Sequence, residues 1–259
     1  MHPILVRIGP VTLYTYGLMM MVAFAATTWL ATRDARTRGL TQLGITPEQV
    51  IDGCCYVLLG GLIGGRLLYV ALHWDEFAPA PAEVFAIWRG GLVWYGGFLG
   101  GIVVAWLYLR SKRLDVMRIL DWFMPYVALG HALGRVGCFL NGCCYGRPTD
   151  AWCGVLFPGH DTRVLPTQLF EAAGLVFLYI ALRRLQRTPL GAHRGGIVGA
   201  YLIGYALLRF VIEGLRGDQT VFWAGLTLQQ LISLGLLVSG LLLLNLNRKK
   251  GLSPGWGSR

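Results

Sequence analysis

Apolar residues gather along the chain into seven runs, at roughly 14–32, 50–72, 92–109, 119–141, 168–185, 196–213 and 227–246. At 1.5 Å per residue in a helix, each run is long enough to cross a hydrocarbon core of about 30 Å. Glycines, prolines and nearly all the charge collect between the runs, and no connecting segment leaves room for a soluble domain of useful size. The pattern predicts an all-α integral membrane protein, a bundle of about seven transmembrane helices. Residues 1–247 are expected to form a single polytopic transmembrane domain and 248–259 a short basic tail. Glycines spaced by four recur in the second run (Gly60/Gly64, Gly61/Gly65), the third (Gly96/Gly100, Gly97/Gly101) and the fourth (Gly130/Gly134). This spacing lets helix backbones approach closely, so a tightly packed bundle is expected.

Composition supports a membrane solvent. Of the 259 residues 55% are hydrophobic and 14% charged, against roughly 25% charged in an ordinary soluble domain. The net charge of +10 would fit nucleic acid in a polar protein, but here its placement gives a different reading. Fifteen of the 23 basic residues fall in alternate connections, the groups at Arg33–Arg38, Arg110–Arg118, Arg183–Arg194 and Arg248–Arg259. The opposite connections hold Arg7, Arg89, Arg147, Arg163 and Arg216, together with the acidic loop of Asp75, Glu76 and Glu83. By the positive-inside rule the N-terminus is expected outside and the C-terminus in the cytoplasm. Only Arg7 precedes the first run whereas Arg33, Arg36 and Arg38 follow it, the reverse of a cleavable signal peptide, so residues 14–32 are expected to stay in the membrane.

Three arginines, Arg66, Arg135 and Arg209, fall well inside the apolar runs, away from the basic ends. Each costs about 2.5–3.5 kcal/mol on insertion scales and therefore needs an ion partner, a wet cavity or an anionic ligand. Arg209, Glu213 and Arg216 are spaced to share one helix face, and His131 and Arg135 share another that runs into Cys138, Asn141 and Gly142. Two cationic faces ending near one surface make a candidate phosphate site, since a guanidinium presents a planar fork to phosphate oxygens. For Arg209 and Glu213 the plainer alternative is an ion pair that holds helices together. Tyr16, Tyr95 and Tyr126 sit where phenols anchor at headgroup depth, and Asp121, just before Pro125, reads as a helix cap. Among the six cysteines, Cys138, Cys143 and Cys144 lack the paired C-x2-C spacing of zinc sites and a well-placed second histidine. No metal site is expected, and apolar filling of a helix end is the stronger reading of these thiols. A disulfide within the group Cys138–Cys153 is left open by spacing alone.

The segment His131-Ala-Leu-Gly-Arg-Val-Gly-Cys-Phe-Leu-Asn-Gly-Cys-Cys-Tyr-Gly146 resembles the signature of the prolipoprotein diacylglyceryl transferase family. Further matches follow in order at Tyr14–Gly17, Gly64–Arg66, Tyr95–Gly97, Pro166–Glu171 and Arg209–Glu213, so the resemblance spans nearly the whole chain. It implies a multi-pass enzyme of the bacterial inner membrane, with its active site toward the periplasm. Such an enzyme moves the diacylglyceryl group of phosphatidylglycerol onto the lipobox cysteine of a preprolipoprotein, forming a thioether and releasing glycerol phosphate. The resemblance assigns catalysis to Arg135, Arg209, Tyr95 and Glu213, and phosphatidylglycerol binding to Arg135, Tyr16, Asn141, Gly142, Arg66 and His131. The two family arginines would hold the phosphate and stabilise charge on the leaving group. No cofactor, nucleotide, metal or nucleic acid is implied.

The chain departs from some members at Tyr95, where they carry histidine, at Cys143, where they carry an acid, and at Leu165, where many carry histidine; these read as subfamily variation. A thiol of pKa about 8.5 is mostly protonated at neutral pH, so a base or the arginine field must assist it, and Glu213, Tyr95 and His131 all remain candidates. Three rival readings stand beside the enzyme. A transporter would carry inverted repeats, which the seven runs do not show. An inactive relative acting in binding or assembly, or a relative using another acceptor, differs from the enzyme in its transfer activity.

Overall fold

The computed structural model describes residues 4–8, 11–38, 43–87, 90–158, 161–217 and 219–248. Arg89 and the tail from Lys249 onward, both used in the charge argument, lie outside them. The described residues are mostly helical: α1 (Thr15–Arg38), α2 (Pro47–Leu72), α3 (Trp74–Phe77), α4 (Trp94–Ser111), α5 (Val116–Asn141), α6 (Thr167–Leu185), α7 (Pro189–Ala192), α8 (Gly196–Leu215) and α9 (Leu228–Arg248). Two antiparallel hairpins accompany them, β1 (Ile4–Ile8) with β2 (Val11–Tyr14), and β3 (Val221–Trp223) with β4 (Leu226–Thr227).

The seven expected runs coincide with α1, α2, α4, α5, α6, α8 and α9. Five of these, α1, α2, α5, α8 and α9, are long and apolar enough to cross a membrane. Helices α4 and α6, of 18 and 19 residues, are not among these five. Arg110, tyrosines and glycines dilute α4, and Glu171, Arg183 and Arg184 interrupt α6. Helical segments suit an apolar solvent because every backbone N–H and C=O is satisfied within the segment.

The contacts divide the chain into two compact units, residues 31–119 and residues 1–30 with 120–259. In the first, α2 opens on a capping box in which Thr46 Oγ1 accepts from Gln49 N and Gln49 Oε1 accepts from Thr46 N. Its glycines meet those of α4 as their spacing predicts. A Cβ on Gly64 would strike the Gly96 carbonyl and lie 3.0 Å from Gly100 Cα, and one on Gly97 would lie 3.2 Å from the Gly61 carbonyl. The Val93 amide, at the start of α4, also donates to the Gly65 carbonyl at 3.1 Å.

In the second unit the core is built where Ala128 of α5, Leu182 of α6 and Ile197 of α8 bury completely against one another. Asp121 caps a helix, as expected, but a different one from its own. Its carboxylate accepts the amides of Gly195, Ile197 and Val198 at the open N-terminus of α8. Pro125 has no N–H to give the Asp121 carbonyl one turn earlier. Gln186 Nε2 supplies the donor instead, bonding the Asp121 and Trp122 carbonyls at 3.0 Å each. Gly130 of α5 is in close contact with Thr27 of α1, where an added Cβ would sit 3.2 Å from Thr27 Cγ2.

Candidate active site

Three helices of the second unit bring their polar faces together. Residues 131, 135 and 138 of α5 lie on one face at helical spacing, as do Tyr201, Tyr205, Arg209 and Glu213 of α8. Between them stands Glu171, in the second turn of α6 and 2% exposed. Its Oε2 lies 3.0 Å from Arg135 Nε and 3.4 Å from Arg209 Nη1, and its Oε1 lies 3.9 Å from His131 Nε2. Arg209 reaches a second carboxylate through Nη2, 2.7 Å from Glu213 Oε2. The hydroxyl of Thr227 donates to Glu213 Oε1 at 3.1 Å while accepting the Gln230 amide at the start of α9. The Tyr205 ring packs 5.3 Å from His131 and stacks on Tyr201.

Two guanidiniums are thus steered to one carboxylate oxygen in a desolvated setting. Ionic hydrogen bonds are strong there, and removal of one member leaves a buried charge unpaired. Arg135 meets Glu171 as an ion pair at its Nε, its guanidinium carries four further N–H donors, and its side chain is 15% exposed. The arrangement can receive an anion with a planar oxygen face.

The signature loop is fixed from the same helices. Gly142 takes a left-handed conformation (φ +77°) and turns the chain out of α5; Cys144 follows at φ +65°, where a side chain is strained. Gln168 Nε2 donates to the Cys143 carbonyl at 2.6 Å, and Thr167 Oγ1 to the Cys144 carbonyl at 2.9 Å. Next, the Gly146 amide bonds the Leu165 carbonyl and the Arg147 amide the Leu215 carbonyl, stitching the loop to the ends of α6 and α8. A Cβ on Gly146 would lie 2.8 Å from the Leu215 carbonyl, so only glycine fits this crossing. Phe157, almost fully buried, packs edge-on against Phe139 and beside Tyr145.

Of the residues singled out in the sequence, His131, Arg135, Arg209 and Glu213 converge on this cluster, with Asn141 and Gly142 at the end of α5. Tyr16 lies in the same unit beside Gly137, its Cδ2 3.5 Å from where a Cβ there would be. Tyr95 and Arg66 belong to the other unit. Tyr95 is 53% exposed and packs edge-on against Trp94. Arg66, expected at the lipid headgroup, is occupied by the protein's own backbone. It donates to the carbonyls of Glu83, Val84, Gly90 and Gly91 at 2.7–3.2 Å, between the rings of Tyr69 and Phe77. Its buried charge is met by carbonyl dipoles, and it fastens residues 83, 84, 90 and 91 to α2.

Glu171, the hub of the cluster, was not among the expected site residues. The signal was present, since a carboxylate three residues inside an apolar run carries the same cost as the arginines. In the sequence it stands only as the last residue of the motif Pro166–Glu171. Tyr205, one turn before Arg209, was missed because its neighbours are apolar.

The family model for prolipoprotein diacylglyceryl transferase matches residues 3–246. The chain is 35% identical to a phosphatidylglycerol-prolipoprotein diacylglyceryl transferase of Methylococcus capsulatus, with 93% of this chain and 94% of that protein covered. It is 34% identical to one from Vibrio cholerae (96% and 93% covered) and 32% identical to one from Streptococcus uberis (96% of each).

Proposed function

The chain belongs to the prolipoprotein diacylglyceryl transferase family, and from that membership we propose that it transfers the diacylglyceryl group of phosphatidylglycerol to the lipobox cysteine of preprolipoproteins. The observation that carries the reading is the meeting of Arg135 and Arg209 on buried Glu171, which supports an anion site of fixed geometry. The lipid phosphate docks against the outward N–H groups of the two guanidiniums, and Glu171 keeps both forks aimed. The acceptor sulfur attacks the diacylglyceryl carbon that bears the phosphate ester. A C–S bond forms, the C–O bond breaks, and the electron pair leaves on glycerol phosphate, whose charge the arginines stabilise.

The thiol proton must go to a base. Glu213 has both carboxylate oxygens engaged, by Arg209 and Thr227. Tyr95 lies in the other unit, and its part in the reaction rests on the family motif. His131, whose side chain is 28% exposed next to the arginine pair, stands with Glu213 and Tyr95 as a candidate for the proton. Tyr16, Asn141 and Gly142 line the headgroup end of the site, and Arg66 holds its loop. The site works from seven membrane crossings of the bacterial inner membrane, N-terminus outside, with the signature loop on the periplasmic side.

The test is transfer of a labelled diacylglyceryl group from phosphatidylglycerol vesicles to a synthetic lipobox peptide by the purified protein. A peptide with serine for cysteine serves as control. Thiol-dependent labelling is expected; none from a folded, lipid-supplied preparation would overturn the assignment.

A further inference from the structure

The turn that ends α5 does something the linear spacing of its cysteines conceals. Residues 138, 143 and 144 are separated unevenly along the chain, yet their three sulfurs all lie within 4.8 Å of one another. The Gly142 amide bonds the Phe139 carbonyl and the Cys143 amide the Cys138 carbonyl, folding the loop back over the last turn of the helix. Cys143 Sγ and Cys144 Sγ stand 3.7 Å apart, and all three thiols are free. The backbone beneath them is held from outside by Gln168 and Thr167, and the strained φ of +65° at Cys144 aims its side chain back toward the other two. Strain held in place by neighbouring hydrogen bonds is a mark of a functional turn.

Three thiolates around a metal at a metal–sulfur distance of about 2.3 Å stand about 4 Å apart at the corners of a triangle. The sulfurs here are already at that spacing, within a few tenths of an ångström to an ångström. We propose that Cys138, Cys143 and Cys144 form a three-sulfur site for a soft, thiophilic cation, monovalent copper above all. Soft thiolates select such ions over hard oxygen-seeking ones, and monovalent copper accepts three-coordinate sulfur without a fourth ligand. Binding replaces thiol protons by the metal, one proton released for each sulfur that becomes a thiolate, with no change of oxidation state. The surplus negative charge of the loaded site is offset by Arg135, one turn from Cys138 on the same helix face.

The full-length reduced protein in detergent with phosphatidylglycerol is titrated with monovalent copper against a chromophoric copper chelator, and the loaded sample is examined by X-ray absorption at the copper edge. One equivalent bound through three sulfurs is expected. Cys138→Ser, Cys143→Ser and Cys144→Ser should each weaken binding at least tenfold, while a Cys54→Ser, Cys55→Ser, Cys153→Ser triple variant keeps it. Size exclusion and thermal unfolding of each variant establish that a loss is not misfolding, and Cys143→Ala gives a second probe of the same sulfur. Copper held equally by the single variants, lost in the triple variant, or seen with fewer than three sulfurs overturns the proposal. So does a 138–143 or 143–144 disulfide that reforms in preference to copper capture. Copper binding is read without any transfer assay, so its outcome is separate from that of the proposed activity.

Discussion

A single carboxylate decides the geometry of the arginine cluster. Glu171 presents one oxygen to both Arg135 and Arg209, so its charge sets the separation and tilt of the two guanidiniums. Glu171→Gln keeps the shape of the side chain and removes the charge that aligns them. Loss of one partner of a buried pair costs about 3–5 kcal/mol, and misplacement of a positioning group by about 1 Å can cost on the order of a hundredfold in rate. Transfer is expected to fall about a hundredfold in Glu171→Gln and to recover in part in Glu171→Asp. Equal activity of Glu171→Gln and the parent in the labelled-lipid assay would remove Glu171 from its aligning role. Arg135→Ala goes further, because it deletes a group proposed to hold the phosphate. Activity is expected to vanish while size exclusion shows an intact, monodisperse protein, and full activity would sink the clamp. At this scale the sequence was informative where a charge stood deep in an apolar run, as at Arg135 and Arg209. It was less so where the partner was a backbone. The carbonyls that satisfy Arg66 come from residues 83–91, and no side-chain pattern announces carbonyls.

At the scale of elements, the hydrophobic runs placed seven helices nearly to their ends, and five of them are long and apolar enough to cross a membrane. The glycine spacing also identified the seam between α2 and α4, where backbones touch. Gly64→Leu would push a branched side chain into the Gly96 carbonyl, and overpacking of such a contact costs about 1–3 kcal/mol or more. Its unfolding temperature in detergent should drop by several degrees; an unchanged value would mean that α2 and α4 separate freely. What periodicity could not supply was the stitching of residues 142–166 and the two short hairpins. These are set by backbone hydrogen bonds between loops, which carry no repeat. The same holds for Gln186, a polar residue just past the end of α6 that reads as a loop. It repairs the hydrogen bond that Pro125 removes from α5 and so locks α6 to α5. Gln186→Ala leaves the buried Asp121 and Trp122 carbonyls without this donor, at about 1–3 kcal/mol. A lowered unfolding temperature with normal expression is expected, whereas Gln186→Leu at parental stability would show that packing, not the donor, holds the joint.

For the whole molecule, the decisive question is which side of the membrane receives the signature loop. Fifteen of the 23 basic residues lie in alternate connections or in the helix ends that flank them, a bias strong enough to orient a multi-pass chain. Connections between odd and even helices must then alternate in location, provided α4 and α6 cross despite their shorter apolar content. The cost of Glu171, Arg183 and Arg184 in α6 is what makes that proviso testable. Glu171 is neutralised inside the protein by the arginines of α5 and α8, and Arg183 and Arg184 sit in the last turn, where long side chains reach an interface. Both helices should therefore span. Single cysteines placed on a cysteine-free variant at Asp75, Thr149 and Gln219 are expected to react with a membrane-impermeant maleimide from outside intact cells. Cysteines at Lys112, Thr188 and Arg36 should react only after permeabilisation. Protection of the site at Thr149 would place the Arg135–Glu171–Arg209 cluster near the cytoplasmic surface. An acceptor cysteine delivered at the outer boundary could not reach it there, and the proposed transfer would fail on geometry alone. Labelling at Thr149 with protection at Lys112 and Thr188 would instead require α5 to cross outward and α6 to cross back. The site is then at the one surface where a lipid headgroup and a translocated signal peptide can meet it together.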